Sequence, residues 1–233
     1  TSYQPFTIMG TGDNIIVTTG TGSGKTECFL LPIVNTLLKE QEVARRLDDG
    51  VRAIVIYPMN ALINDQVKRL RAIFADSDIT FGVYNGNTEQ TEKAARLMYR
   101  NTYKLEPMPN ERVSRDAMRE KPPHILITNY SILEYMCIRP NDDAVFHNAK
   151  LRFVVLDEAH IYKGATGIEA SMLVRRMETK LTAKGHRPQY ILTSATLGDE
   201  NSNPQIFAFG EKLCGHSFQS IVRSIPIIHA IPE

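Results

Sequence analysis

What this sequence has least of is net charge. Lys and Arg number 27 and Asp and Glu 26 in 233 residues, leaving a formal charge of +1. That balance excludes a general polycationic coat for nucleic acid, though not a local basic groove. Cysteine is scarce as well. Cys28, Cys137 and Cys214 are scattered and never form a C-x-x-C pair. Neither a disulfide scaffold nor a zinc framework can be read from them, and free thiols point to a reducing compartment. The longest apolar run, Cys28 to Val34, falls far short of the ~20 residues a spanning helix needs. No basic start leads into an apolar core and cleavage site, so no secretory signal is visible. Internal repeats and low-complexity tracts are missing too. These absences together predict a soluble, cytoplasmic protein with no membrane partner and no zinc. The first residue is Thr, which fits a piece of a longer chain.

What is present is ordinary globular composition, 42% apolar and 23% charged, in a chain long enough to bury a sizeable core. Apolar, β-rich runs alternate with longer segments of helical spacing. Asn14–Thr18, Arg52–Tyr57, Ile79–Tyr84, His124–Thr128, Leu151–Leu156 and Gln189–Thr193 read as strands. Most are continuously apolar, as strands buried on both faces of a parallel sheet should be. Lys25–Arg46, Met59–Ala75, Ile132–Met136 and Ile168–Lys184 read as helices between them. The alternation predicts an α/β fold, a mostly parallel twisted sheet with helices on both faces and right-handed crossovers.

One stretch breaks the rhythm. Residues 86–123 are polar, mixed in charge and proline-containing. Thr88–Tyr103 suits a helix with Ala94, Ala95, Leu97 and Met98 on its apolar side. The rest reads as a long exposed connection, which in a compact domain is functional or mobile. The final segment, Ile221–Glu233, reads as an edge strand running into a linker.

Three motifs carry chemistry. Thr19 to Thr26, with Gly20, Gly22 and Gly24, follows the first strand and opens a helix. Such a loop cradles phosphates in successive backbone N–H groups, supported by the helix N-terminus. Here the cofactor-binding set is Thr21, Gly22, Ser23, Gly24, Lys25, Thr26 and Glu27. Lys25 reaches toward the β- and γ-phosphates and the Thr26 hydroxyl toward Mg²⁺. The first position of the general pattern is Gly, and this chain has Thr19. The second motif, Asp157-Glu158-Ala159-His160, directly follows a strand. A carboxylate there lies at the same sheet edge as the phosphate loop. Asp157 is suited to hold Mg²⁺ through water, and Glu158 to orient and deprotonate an attacking water. The third, Thr193-Ser194-Ala195-Thr196, ends the strand that starts at Gln189.

In this order, and each at a strand end, these motifs resemble the first RecA-like motor domain of a superfamily 2 DEAH-box helicase. Tyr57–Leu62 with Asp65-Gln66 resembles that family's motif Ia, and Thr128-Asn129-Tyr130 its motif Ib. Gly82–Thr88, Thr128–Met136 and His160–Gly167 are similar to segments of the Lhr-like and Mrf-type DNA helicases. The resemblance covers nearly the whole chain. It implies one RecA-like domain over 1–225 with an insertion near 86–123, then the start of a linker at 226–233. It further implies ATP and Mg²⁺ as cofactors, and ATP-driven translocation on single-stranded DNA. His160, Ser194 and Thr196 would couple nucleotide state to nucleic-acid binding. Pro58, Asn60, Gln66, Thr88, Thr128 and Asn129 would contact the strand.

Other side chains keep two readings open. Lys68, Arg69 and Arg71, and likewise Arg175 and Arg176, are either solvated helix charges or additional phosphate contacts. Tyr130 and Tyr135 are candidates for base stacking, with core packing the favoured reading for Tyr135. RNA as substrate, or duplex translocation within a restriction or antiphage complex, remain alternatives, since the D-E-A-H tetrapeptide does not choose a polymer.

The departures are informative. Where many relatives read Pro-Thr-Arg-Ala-Leu in motif Ia, Met59 and Asn60 fill the middle. An arginine–phosphate contact is lost there, and Asn60 or Gln66 would replace it with weaker neutral bonds. Gln4 lies one residue out of register for adenine recognition. Nothing resembles the family's second motor domain with its arginine finger, which is worth about 10³–10⁵ in rate. The chain by itself is therefore expected to hydrolyse ATP hardly at all.

Overall fold

The computed structural model describes residues 12–18, 25–75, 77–182, 187–195 and 202–223. The elements run β1 (Ile15–Thr18), α1 (Lys25–Ala44), β2 (Ala53–Tyr57), α2 (Asn60–Ile73), β3 (Phe81–Tyr84), α3 (Glu92–Tyr103), β4 (Glu111–Arg112) and α4 (Arg115–Glu120). They continue with β5 (Ile125–Asn129), α5 (Tyr130–Ile138), a 3-10 turn at Pro140–Phe146, β6 (Phe153–Leu156), a second 3-10 turn at Ala159–Ile161, α6 (Gly164–Leu181), β7 (Gln189–Ser194), α7 (Asn203–Cys214) and β8 (Ser220–Val222). The strands form one sheet in the order β4-β3-β5-β2-β6-β7-β1-β8. Every strand pairing in it is parallel.

Period-two alternation divides each strand between two cores. Ile15, Val17, Ala53, Val55, Tyr57, Ile125 and Ile127 face Phe29, Ile33 and Leu37 of α1 and Ile63, Val67 and Leu70 of α2. The alternate residues Ile16, Ile54, Ile56, Leu126, Val154 and Leu156 face Leu133 and Met136 of α5, Leu173 and Met177 of α6, and Leu213 of α7. This two-sided burial explains why the strand sequences are continuously apolar. Each fully buried Ile, Leu or Val contributes roughly 1.5–3 kcal/mol. No described helix is long and apolar enough to cross a membrane. The three cysteines are buried free thiols.

Strand and helix positions match the sequence reading to within a few residues, and the differences have local causes. The helix expected from Thr88 begins at Glu92, because Thr91 caps it by accepting from the Ala94 N–H. Its buried face is Ala95 and Tyr99, while Leu97 is 60% exposed. The helix expected from Ile132 begins at Tyr130, where the Asn129 side chain caps the Ile132 N–H. Tyr135 is not core, being 54% exposed with the Arg139 guanidinium over its ring at 5.0 Å.

The stretch after α3 is not an exposed connection. It contributes β4, paired to β3 through Phe81–Glu111 and Gly82–Arg112, and then α4, capped by Ser114 accepting from the Ala117 N–H. Asn110, Glu111, Ser114 and Met118 are all buried. Asn110 Nδ2 donates to the carbonyls of Phe74, Ser77 and Ile79, tying this segment to the end of α2. Gly82 permits the packing: a Cβ there would lie 2.8 Å from Met118 Sδ and 3.0 Å from the Arg112 carbonyl. The edge strand expected near the end is β8, beside β1. Residues 226–233 lie outside the described residues.

Candidate functional site

Parallel strands bring their carboxyl ends to one edge, and the order above places β6, β7 and β1 side by side there. This is the crevice where open α/β sheets bind ligands. Register is specific: Thr18 lies opposite Ser194, and Leu156 opposite Leu192. The residue after Leu156, Asp157, therefore stands beside Thr193. Lys25 is the first described residue after β1, at the start of α1.

The acidic motif is held from several directions. Asp157 donates its N–H to the Ile56 carbonyl of β2 at 2.9 Å. Thr193 Oγ1 donates to Asp157 Oδ1 and accepts from the Glu158 N–H at 3.3 Å. Glu158 has φ +49°, a left-handed conformation that non-glycine residues adopt at a cost of ~1–3 kcal/mol and that clusters at functional sites. The turn sends Glu158 toward α1, where its Oε1 lies 3.1 Å from Lys25 Nζ. His160 Nδ1 lies 3.1 Å from Ser194 Oγ and 3.2 Å from Glu158 Oε2. Lys25, Asp157, Glu158, His160, Thr193 and Ser194 thus form one linked constellation drawn from two strand ends and a helix start.

Burial pushes the Asp157 carboxyl above the ordinary carboxylate range, the bond from Thr193 opposes the shift, and the nearby Glu158 charge adds to it. A buried carboxylate destabilised by desolvation is relieved by a cation, so the donor set fits a divalent ion held by Asp157 with a hydroxyl. Thr26 supplies a hydroxyl next to Lys25 and is itself buried. Among the described residues no group of three or more His, Cys, Asp or Glu could hold a metal by itself. A hard cation that keeps its waters and shares phosphate oxygens needs no such group.

The other predicted cofactor residue that is described, Glu27, pairs with Arg69 at 3.2 Å. Thr21, Gly22, Ser23, Gly24 and Thr196 lie outside the described residues. Thr193 touches both acidic residues, a role that the motif alone does not assign. Its signal was register: it is the β7 residue level with the first position after β6.

Of the predicted strand contacts, Pro58, Asn60, Thr88, Thr128 and Asn129 lie at or just beyond the carboxyl ends of β2, β3 and β5, and Gln66 lies farther along α2. Tyr57 pairs with Asn129 across β2 and β5, and just beyond it Asn129 Nδ2 donates to Asn60 Oδ1 at 2.8 Å. Pro58 and Asn60 are half-buried. Gln66 Oε1 is buried without a partner among the described contacts. Two hydroxyls face inward instead. Thr128 is fully buried and donates to the Asn129 carbonyl at 3.3 Å. Thr88 is 8% exposed and its hydroxyl donates to the Val83 carbonyl at 2.9 Å. The hydroxyls of Thr88 and Thr128 are thus bonded within the domain, and any contact with a strand at these positions would fall to their backbone groups. Of the helix cations, Lys68 and Arg69 are exposed. Arg71 is committed to Tyr99 Oη at 2.8 Å and the Glu106 carbonyl at 2.6 Å. Arg175 donates to Ser171 Oγ at 2.8 Å, and Arg176 reaches Glu134 at 3.5 Å.

The sequence matches the model of the DEAD/DEAH box helicase family over residues 3–203. It is 30% identical to the Druantia protein DruE of Escherichia coli, over 79% of this chain and 15% of that protein. It is 31% identical to the ATP-dependent helicase Lhr-Core of Methanothermobacter thermautotrophicus, over 76% of this chain and 19% of that one. The fold superposes on a crystal structure of the DUF1998 helicase MrfA bound to DNA with a TM-score of 0.67 and 27% identity, covering 95% of this chain and 26% of that chain. The chain therefore spans about a quarter or less of the length of these three proteins.

Proposed function

Because this chain belongs to the DEAD/DEAH box helicase family, we propose that it is the ATP-binding motor half of an ATP-dependent DNA helicase that moves on single-stranded DNA in the cytoplasm. The observation that carries the reading is the convergence of Lys25, Asp157, Glu158, His160, Thr193 and Ser194 at the carboxyl edge of β6, β7 and β1. A scaffold domain has no need for that set of contacts.

In this reading ATP supplies the phosphoryl group and Mg²⁺, held by Asp157 and Thr26, supplies charge neutralisation at its phosphates. Lys25 draws the phosphate charge toward the start of α1. Glu158 orients and deprotonates the attacking water, and its strained backbone aims the carboxylate at the site. Thr193 fixes the directions of Asp157 and Glu158 together. His160 reads the state of the acidic motif and passes it to Ser194. A second RecA-like domain of the full-length protein, with its arginine, completes the site.

Strand contact belongs to the neighbouring edge, where Pro58, Asn60, Thr128, Asn129 and the turn ending at Thr88 lie, with Gln66 farther along α2. Neutral amides and backbone groups there suit a motor that must grip any sequence by its backbone. DNA is favoured over RNA because MrfA, similar over nearly all of this chain, has been solved bound to DNA.

The test is steady-state ATP hydrolysis by the full-length protein with single-stranded DNA, single-stranded RNA or duplex DNA. Stimulation by single-stranded DNA above the other two is the expected result. Stimulation by RNA alone, or by duplex alone without strand separation, would replace the reading with one of those substrates. The isolated 233-residue chain is expected to bind Mg-nucleotide with near-zero turnover.

A further inference from the structure

The turn that follows β3 is built to be held rigid. Thr88 donates its N–H to the Asn85 carbonyl at 3.2 Å. Its Oγ1 accepts from the Asn85 N–H at 2.9 Å. Asn85 Oδ1 accepts from the Asn87 N–H at 2.9 Å. These bonds close the turn on itself but do not fix it to the domain. Besides the bond of the Thr88 hydroxyl back to the Val83 carbonyl of β3, what fixes it comes from α4, in the stretch whose sequence reads as an insertion.

Arg115, the first residue of α4, reaches back across this turn. Its Nε donates to the Thr88 carbonyl at 2.8 Å and its Nη2 to the Asn85 carbonyl at 3.3 Å. The same guanidinium lies over the Tyr84 ring, 5.3 Å from its centroid. One helical turn on, Arg119 Nη2 donates to Asp142 Oδ1 at 2.7 Å and to Tyr84 Oη at 3.2 Å. Tyr84 Oη in turn donates to the same carboxylate oxygen at 2.5 Å. Tyr84 and Asp142 are 1% exposed, so this anchor is desolvated, where charge-assisted bonds are strongest. Arg119 and Asp142 immobilise Tyr84, and Tyr84 and Arg115 together immobilise the turn.

From this geometry we infer that Arg115 is a positioning residue for nucleic-acid binding. It presents the Asn85–Thr88 turn to the strand without touching the strand itself. A planar fork that spans two carbonyls while stacking on an aromatic ring is a task lysine cannot reproduce. The inference rests on the reading above that this edge grips single-stranded DNA.

The experiment uses the full-length protein with a fluorescent oligothymidylate, measuring Kd at several salt concentrations. A fluorescent ATP analogue and thermal melting are measured in parallel. For Arg115→Ala we expect about tenfold weaker DNA binding, with nucleotide affinity and melting temperature unchanged. Arg115→Lys should recover only part of that loss. The salt dependence discriminates role: deleting a direct phosphate contact lowers the slope of log K against log salt by ~0.7 for a single strand, whereas deleting a positioning contact leaves it unchanged. Unchanged DNA affinity in Arg115→Ala, a reduced salt slope, or full recovery by lysine would each overturn the assignment. Asn60→Ala and Asn87→Ala separate this from the underlying reading. If neither weakens DNA binding, the edge is not the strand site. If they do and Arg115→Ala does not, the positioning role alone is wrong.

Discussion

Lys25 and Glu158 stand 133 positions apart in sequence, yet Nζ and Oε1 lie 3.1 Å from one another. One comes from the start of α1 and the other from the strained turn after β6. Their meeting is what joins the phosphate-binding and acidic motifs into one site, and it separates binding from chemistry in a testable way. Lys25→Ala should lose roughly 1.5–3 kcal/mol of nucleotide affinity, the value of a charge-assisted hydrogen bond. Glu158→Gln keeps the shape of the site while removing the base. It should bind Mg-ATP nearly normally and abolish turnover in the full-length enzyme. Equilibrium nucleotide binding and steady-state hydrolysis, measured on both variants, check the division. Full turnover by Glu158→Gln would show that another group is the base.

Thr193 makes a second, more pointed case. Its hydroxyl is the donor to buried Asp157 and the acceptor for the Glu158 N–H. Valine has nearly the same volume and neither function. Thr193→Val should therefore reduce kcat by about tenfold to a hundredfold, the rate equivalent of ~1.4–2.8 kcal/mol, while leaving the fold intact. Thr193→Ser should restore most of it. Equal activity in the valine and serine variants would mean that the hydroxyl does not position the acidic pair.

The His160–Ser194 contact predicts a different phenotype. It links the acidic motif to the end of β7 at 3.1 Å without lying between Lys25 and Glu158. Ser194→Ala should leave nucleotide affinity near its normal value and lower the stimulation of ATP hydrolysis by single-stranded DNA. The ratio of stimulated to basal rate is the quantity to measure. A parallel fall in both rates would assign Ser194 to the chemistry instead.

How far these sites could be read from sequence depended on the range of the interaction that defines them. The six strands read from the sequence were legible because most are continuously apolar, as burial on both faces requires. The meeting of Lys25 with the Asp157–Glu158 pair was legible because each stands in a motif directly after an apolar strand, and parallel strands bring such positions to one edge. β4 escaped because two residues, one of them the buried Glu111 that accepts from Tyr99 Oη at 2.8 Å, carry no strand pattern. Arg115, Arg119 and Asp142 escaped because each reads as a surface charge until the fold brings Tyr84 among them. α7 could have been found, since Pro204 sits at its start and Gly215, with φ +78°, follows its end, a pairing typical of helix boundaries.

Gly82 tests whether the β4–α4 segment is an integral layer of the domain. A methyl group there would meet Met118 Sδ at 2.8 Å and the Arg112 carbonyl at 3.0 Å. The sulfur end of Met118 can move, but the backbone of β4 cannot without leaving its register with β3. Gly82→Ala should destabilise by about 1–3 kcal/mol, as overpacking of a filled core does. Gly86→Ala, where a Cβ has open space, should be tolerated. Chemical denaturation of the two variants supplies the comparison. Equal stability would mean that α4 packs loosely and can yield.

His124 fixes the pH response at the opposite end of the sheet. Its Nδ1 accepts from the Thr80 N–H at 2.9 Å, so that nitrogen carries no proton, and Nε2 is left to donate to the Asp48 carbonyl at 3.2 Å. A proton on Nδ1 would oppose the Thr80 N–H. Burial lowers the imidazole from its ordinary value, and the Arg52 charge lowers it further. The folded chain therefore binds this proton less readily than the unfolded one. Stability from His124 is present above about pH 6.5, the ordinary histidine value, and is lost as pH falls from there through the folded value. In His124→Asn the side-chain carbonyl can still accept from Thr80 but does not titrate. The variant should lose less stability than the natural chain between pH 7.5 and 5.5, as urea denaturation at each pH would report. Parallel losses in the two proteins would show that acid sensitivity arises at other groups.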